Sequence, residues 1–243
     1  MITEVEGLIV KETPYGDTSK IIQVLTRDYG IISIMCKGAK SMKSRLRSLT
    51  MRFTYGIFHI YYKENKLSTL ITVDIIDNLS NIKNDITLIS YMTYLTELTT
   101  QVIKQGNDKE IYDVFINGIK KINSNLDPLV ITNILELKYL PFLGVGLNLD
   151  SCVKCGSKNN IVTIDGDAGG YLCSDCLMQE RIVSQKSIKM LRMYYYVDIK
   201  SITELNISDE VKEEINYFLN KYYDRYTGLY LNSKEFLKTI ANI

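Results

Sequence analysis

Apolar side chains follow two different rhythms along this chain. Up to about residue 78 they fall in short runs rich in Ile, Val, Thr, Tyr and Phe, over 5–11, 20–26, 31–36, 52–62 and 67–75. Breakers separate most of these runs: Pro14-Tyr15-Gly16-Asp17, Asp28-Tyr29-Gly30 and Lys63-Glu64-Asn65-Lys66. Such runs predict five strands. In the fourth, Ile57, His59 and Tyr61 alternate with Phe58, Ile60 and Tyr62, so large groups lie on both faces. That fits a strand covered on both sides or a closed barrel. Five short strands suit a barrel of OB type, although a small sandwich or an SH3-like barrel fits the pattern almost as well.

From about Lys83 the period lengthens to that of a helix. Ile86, Ile89, Leu95, Leu98 and Val102 share one face, as do Ile111, Val114, Phe115, Ile119 and Ile122. Asp127 reads as an N-cap with Pro128 in the first helical position. The helix it opens runs through Ile131, Leu135 and Tyr139 to Pro141. Further helices are predicted over 187–197 and 208–226, with Asp209 and Glu210 favouring the dipole in the first turn of the latter and Gly228 as its stop. The apolar stripes are read as core. The expected fold is α+β: a five-stranded barrel over 1–80, then a helical domain over 81–243.

Charge adds little at the level of the whole chain, since 29 Lys and Arg stand against 28 Asp and Glu. The first residues lack a basic stretch leading into an apolar one, so no signal peptide is expected. No apolar run is long enough for a membrane span. A cytoplasmic protein is therefore expected, and there paired cysteines favour metal over disulfides.

Cysteine spacing carries the strongest chemical signal. Cys152-Val153-Lys154-Cys155 and Cys173-Ser174-Asp175-Cys176 are two C-x2-C knuckles with seventeen residues between them, the spacing of a four-thiolate zinc site. Four thiolates complete a tetrahedron and leave no position for water or substrate, so the one Zn2+ is expected to be structural. An iron–sulfur cluster is the other metal such thiolates accept. His59 is the sole histidine, which removes the H-x-E and H-E-x-x-H signatures of catalytic zinc and leaves Ser–His or Cys–His catalysis without support. His59 reads as a structural or surface residue and Cys36 as a small buried hydrophobe. No P-loop is present, and Gly144-Val145-Gly146 lacks the third glycine of a dinucleotide site. Asp74 and Asp77 are the one carboxylate pair to weigh as nuclease ligands; the bland reading is a solvated turn. No catalytic residues are assigned, and a binding protein is expected.

One local concentration of charge stands out. Residues 37–47 carry Lys37, Lys40, Lys43, Arg45 and Arg47 and no acid, with Gly and Ser among them. A flexible cationic loop beside a small barrel can follow phosphates without reading bases. Arg52 extends the patch, and the strand tyrosines Tyr55 and Tyr61 are candidate stacking surfaces.

Taken in order, these pieces resemble the RecO family of bacterial recombination and repair mediators. The resemblance rests on Gly7-Leu8-Ile9-Val10, Tyr15-Gly16-Asp17, Leu25-Thr26, Gly30 and Lys37-Gly38-Ala39 at the N-terminus. Further on it rests on Leu135-Glu136-Leu137-Lys138, Leu143-Gly144, Leu149, the first knuckle with Gly156, and Gly169-Gly170-Tyr171-Leu172-Cys173. It covers residues 1 to about 180. It implies an OB-fold domain, a helical domain and a zinc finger packed on it. It also implies binding of single- and double-stranded DNA, annealing of complements, and partnership with RecR and the C-terminal tail of the single-stranded-DNA-binding protein. Through these partners it implies RecA loading, in a bacterial cytoplasm at the nucleoid. On matching positions, Lys37, Lys40, Lys43, Arg45 and Arg47 would carry the DNA contact. Pro141 falls where the family usually continues a helix, so a kink is expected there. Some members lack the cysteines, so zinc is not the shared activity. The alternatives from other classes are a metal-dependent nuclease or hydrolase and a zinc-stabilised protein-interaction adaptor.

Overall fold

The computed structural model describes residues 2–106 and 108–241. The chain divides into two compact units: Met1–Asn84 with Asn107–Asp113, and Asp85–Gly106 with Val114–Ile243.

The first unit is a closed barrel of five strands: β1 (Ile2–Tyr15), β2 (Ser19–Thr26), β3 (Gly30–Cys36), β4 (Tyr55–Tyr61) and β5 (Ser68–Asp77). They are ordered β1-β2-β3-β5-β4, and β4 returns to β1. All neighbours are antiparallel except β3 and β5, which meet in parallel only at Ile34↔Ser68 and Met35↔Thr69. Closure excludes the sandwich, and this order is that of an OB barrel. Side-chain alternation builds the interior. Ile22, Val24, Ile32, Ile34, Phe58, Ile60 and Val73 form one buried cluster, while Ile21, Gln23, Ile31, Ser33, Ile57 and His59 point the other way and are half-buried. Cys36 is wholly buried in that cluster, as its apolar run predicts, and burial pushes its thiol up to about 12.

The strand boundaries differ from the sequence pattern in two instructive places. Pro14 and Tyr15 belong to β1, paired with Lys20 and Ser19, so the turn is only Gly16-Asp17-Thr18. Proline is tolerated there because it ends the strand. The fourth strand begins at Tyr55, not Arg52: Phe53 takes φ +65°, which a strand cannot contain.

The second unit is helical, with α3 (Ile86–Gln105), α5 (Pro128–Tyr139), α6 (Gln185–Tyr196), α7 (Asp209–Tyr226) and α8 (Asn232–Ala241), following the one-turn helices α1 (Leu46–Leu49) and α2 (Ser80–Lys83) of the barrel unit. The helix α4 (Lys109–Asn123) contributes its first residues to the barrel unit and the rest to the helical one. At the centre α5 is buried from residue 130 to 137 and packs on α3, α6 and α7. Its start is as expected, with the Asp127 carboxylate accepting from the Leu129 and Val130 amides. Its end is not a kink. The helix stops at Tyr139, and Pro141 lies in the turn beyond, where a proline cannot continue the ladder. The helix over 187–197 starts two residues earlier, because Ser184 is the cap, its hydroxyl accepting from the Ser187 amide. Ser208 and Gly228 bound α7 as expected, with Gly228 at φ +64°. Ile86 is an exception to the core stripe, being 60% exposed beside its cap Asp85. Between the cysteine knuckles lies a hairpin absent from the sequence-level prediction, β6 (Ile161–Asp165) with β7 (Gly170–Cys173). Among the described residues, no helix is long and apolar enough to cross a membrane.

Candidate metal centre and nucleic-acid interface

The four knuckle cysteines converge as their spacing predicts. Their sulfurs all lie within 4.8 Å of one another, with Cys155 Sγ and Cys173 Sγ 3.6 Å apart. Four sulfurs about 2.3 Å from a tetrahedral ion sit roughly 3.8 Å apart, so the set fits one ion. Both knuckles are tight turns: the Gly156 amide donates to the Cys152 carbonyl at 2.8 Å, and those of Cys176 and Leu177 to the Cys173 carbonyl at 3.1 Å. Gly156 accepts the turn with φ +74°. The amide–carbonyl bond from Val153 to Tyr171, 2.9 Å, ties the first knuckle to β7. Burial alone raises the Cys152 thiol, yet the backbone amides of Cys173, Cys155 and Lys154 outweigh it and bring it down to about 6. Crowding by the neighbouring sulfurs, Cys155 first, pushes the Cys176 thiol the other way, up to about 12, and four adjacent thiolates need a bound cation to offset their repulsion.

The region has a small core of its own and leans on α6, where the buried Tyr171 donates its hydroxyl to the Ile188 carbonyl at 3.2 Å. Its buried cluster is Cys152, Leu172 and Cys173, with Ile161, Ala168 and Cys176 packed around it. The hairpin turn is fastened to α7 by close approach: a Cβ added at Gly166 would lie 2.5 Å from Lys221 Cβ and 2.6 Å from the Phe218 carbonyl. Tyr226 donates its hydroxyl to the Asp167 carbonyl at 2.8 Å. At the rim Lys154 pairs with Glu180 at 2.8 Å, and that hydrogen bond pulls the carboxyl down to about 2.

Among the described residues, this is the one group that brings three or more Cys, His, Asp or Glu ligand atoms together. Asp74 and Asp77 do not meet. Asp74 lies 2.7 Å from His59 Nε2, and Asp77 accepts from the amide of Leu79, the residue that precedes α2. His59 also faces Glu4 at 3.5 Å, which makes it a link between β1, β4 and β5.

The cationic segment leaves the end of β3 and is folded into turns and the one-turn helix α1. Successive turns run through it: the Ser41 amide donates to Gly38, that of Ser44 to Ser41, and that of Arg47 to Ser44. The Lys40 amide donates to the Thr18 carbonyl at 2.7 Å, and its ammonium to the Gly16 carbonyl at 3.0 Å, fastening the segment to the β1–β2 turn. Leu46 and Leu49, three apart on α1, pack on the barrel core. The cations point outward on this frame. Lys37, Lys40, Lys43, Arg45 and Arg47 are all exposed, and among the described residues none forms an ion pair. Lys40 and Arg47 line a groove of about 300 Å³ with Glu12, Thr13, Pro14, Lys20 and Ala39. Lys20 is buried and pairs with Glu12 at 2.6 Å. Arg52 is used differently. Its Nε donates to the Val10 carbonyl at 3.2 Å and its guanidinium lies 4.5 Å over the Phe53 ring. Of the two tyrosines weighed for stacking, Tyr61 is 51% exposed, but Tyr55 is in the core with its hydroxyl donating to Glu6.

An OB barrel bearing an exposed cationic segment, joined in one chain to a helical unit with a four-thiol cluster, defines a two-part α+β protein. Comparison with known families gives the same outline. The family model for the N-terminal part of recombination protein O matches residues 1–79, and that for its C-terminal part matches 83–235. The chain is 31% identical over 251 residues to a DNA repair protein RecO of Bacillus pumilus, covering 100% of this chain and 96% of that protein. It is 32% identical over 251 residues, with the same coverage, to that of Bacillus subtilis, and 34% identical over 244 residues to that of Bacillus cytotoxicus, covering 99% and 98%. The chain belongs to the RecO family of DNA repair and recombination proteins.

Proposed function

We propose that this chain is a non-enzymatic recombination mediator that binds single- and double-stranded DNA, anneals complements, and helps load the RecA recombinase onto DNA coated with single-stranded-DNA-binding protein. The reading carries with it RecR and the tail of that binding protein as partners, and a place at the nucleoid in the cytoplasm. The observation that carries it is the array of five exposed cations, none in an ion pair among the described residues, on a segment packed against an OB barrel. Such an array neutralises phosphates of either strand without regard to sequence. Base pairing then supplies the free energy of annealing, so no nucleotide hydrolysis is needed. Residues 1–80 would be the DNA-binding domain. Residues 81–243 would be a helical domain whose segment at about 148–182 holds one structural Zn2+ on Cys152, Cys155, Cys173 and Cys176. Arg52 is expected from the sequence to extend the patch; its Nε already donates to the Val10 carbonyl.

The test is the joint substitution of Lys40, Lys43, Arg45 and Arg47 by Ala, with duplex affinity measured at several salt concentrations. Each lost phosphate contact lowers the salt slope by about 0.9, so a full set of four should flatten it by roughly 3 to 4. An unchanged affinity and slope would remove the segment from the interface.

A further inference from the structure

Resting on the DNA-binding reading above, we infer that Tyr29, backed by Tyr62 and flanked by Lys63 and Lys66, is a stacking site for an unpaired nucleobase. The two tyrosines are thirty-three positions apart in sequence but their rings sit 4.8 Å apart, tilted by 41°. Tyr62 is half-buried and packs against the barrel core, which makes it a rigid support. Tyr29 lies on it in the β2–β3 turn and is 41% exposed, so one ring face is free to receive a partner. The pair lines a cleft of about 340 Å³ with Ile31, Ser33, Lys63 and Lys66. That size is within the range of clefts that hold small ligands.

Charge decides which ligand fits. Lys63 and Lys66 are exposed on the β4–β5 turn and form no ion pair among the described residues; Glu64, between them, is the single acid of that turn. A flat π-face next to two ammonium groups suits a base attached to its phosphate. The route to the cationic segment is also clear of acid. The outward residues of β2 and β3 are Ile21, Gln23, Ile31, Ser33 and Met35, none charged, whereas β1, β4 and β5 expose Glu4, Glu6 and Asp74. The cleft lies at the start of β3 and the cationic segment leaves its end. A seven-residue strand spans about 20 Å, a length that a few nucleotides cover. A single strand anchored on the cations would thus lie along β3 and place one base on Tyr29. A duplex keeps its bases inside and cannot use the site.

The chain has no tryptophan, so Tyr29→Trp in the full-length protein gives a single reporter on the stacking face. Binding is followed in parallel by anisotropy of a labelled strand. Oligothymidine should quench the reporter's fluorescence, while an abasic strand or a duplex of equal length should bind without quenching. Tyr29→Ala should weaken binding of oligothymidine about tenfold, the size of one lost base stack, with an unchanged salt slope and no effect on the abasic strand. Tyr29→Phe should restore affinity. Binding of oligothymidine without quenching, or equal losses by Tyr29→Ala on base-bearing and abasic strands, would overturn the stacking site and leave the cationic reading standing. Failure of the wild-type protein to bind any strand would overturn both.

Discussion

The barrel and the cysteine hairpin each hold a functional-looking loop in place, and they do so with very different resources. In the barrel, twelve buried residues form a single cluster, and the strands close into a ring with no free edge. The cationic segment inherits that rigidity through Leu46, Leu49 and Lys40. The hairpin has three buried residues in its cluster, two of them cysteines. A two-stranded ribbon of that size is marginal in water, so its shape must come from the thiol cluster and from its seat on α6 and α7. The lesson is that loss of metal and loss of core strike separate parts of the molecule.

The largest effect expected is therefore metal removal. Chelation, or Cys173→Ala, should unfold the region from about 145 to 185 first, because binding free energy at such sites is folding free energy. Hydrogen exchange by peptide should show that region losing protection while β1–β5 keep theirs. DNA affinity should survive in the same sample, and its loss in step with the metal would end the separation of roles. Next comes the barrel core. Phe58→Ala removes a ring with no exposed surface and should cost about 3–5 kcal/mol, read by denaturant titration, with DNA binding falling as the barrel melts. Smaller is the seat of the hairpin. Gly166→Val must push against Lys221 and the Phe218 backbone and should cost about 1–3 kcal/mol, lowering metal affinity without touching the barrel.

The smallest effect concerns pH in the helical unit. Burial raises the carboxyl of Glu136, against the pull of Lys234 and of the hydroxyl that Tyr94 donates to it. The folded state then holds the proton more tightly than the unfolded chain. This group's stabilisation is full below the ordinary carboxylate range and is lost as pH rises through the raised value. Glu136→Gln should remove that slope from the melting temperature between pH 4 and 8.

Legibility in the sequence followed the range of the signal. Asp127-Pro128, the Asp209-Glu210 first turn and the two cysteine knuckles act within a few residues of themselves, and each was readable. The one-turn helix α1 was not predicted, because Leu46 and Leu49 follow a run of Gly, Ser and Lys that reads as a loop. The β6–β7 hairpin was hidden because its strands are only five and four residues long and β7 is buried on both faces, so no alternation shows. What no spacing rule reaches is a pairing made by the closed barrel, such as Tyr29 on Tyr62, or the reassignment of Tyr55 to the interior once the register of β1 on β4 is set.

Cys36 gives the barrel a clock of its own. Its thiol is sealed in the interior and raised by burial, so an alkylating reagent can reach it only during an opening of the ring. If the proposed Zn2+ shields the other four cysteines, the rate of labelling at this one atom measures how often the closed barrel breathes. The same measurement in the presence of a bound strand would report how far the ligand slows that motion.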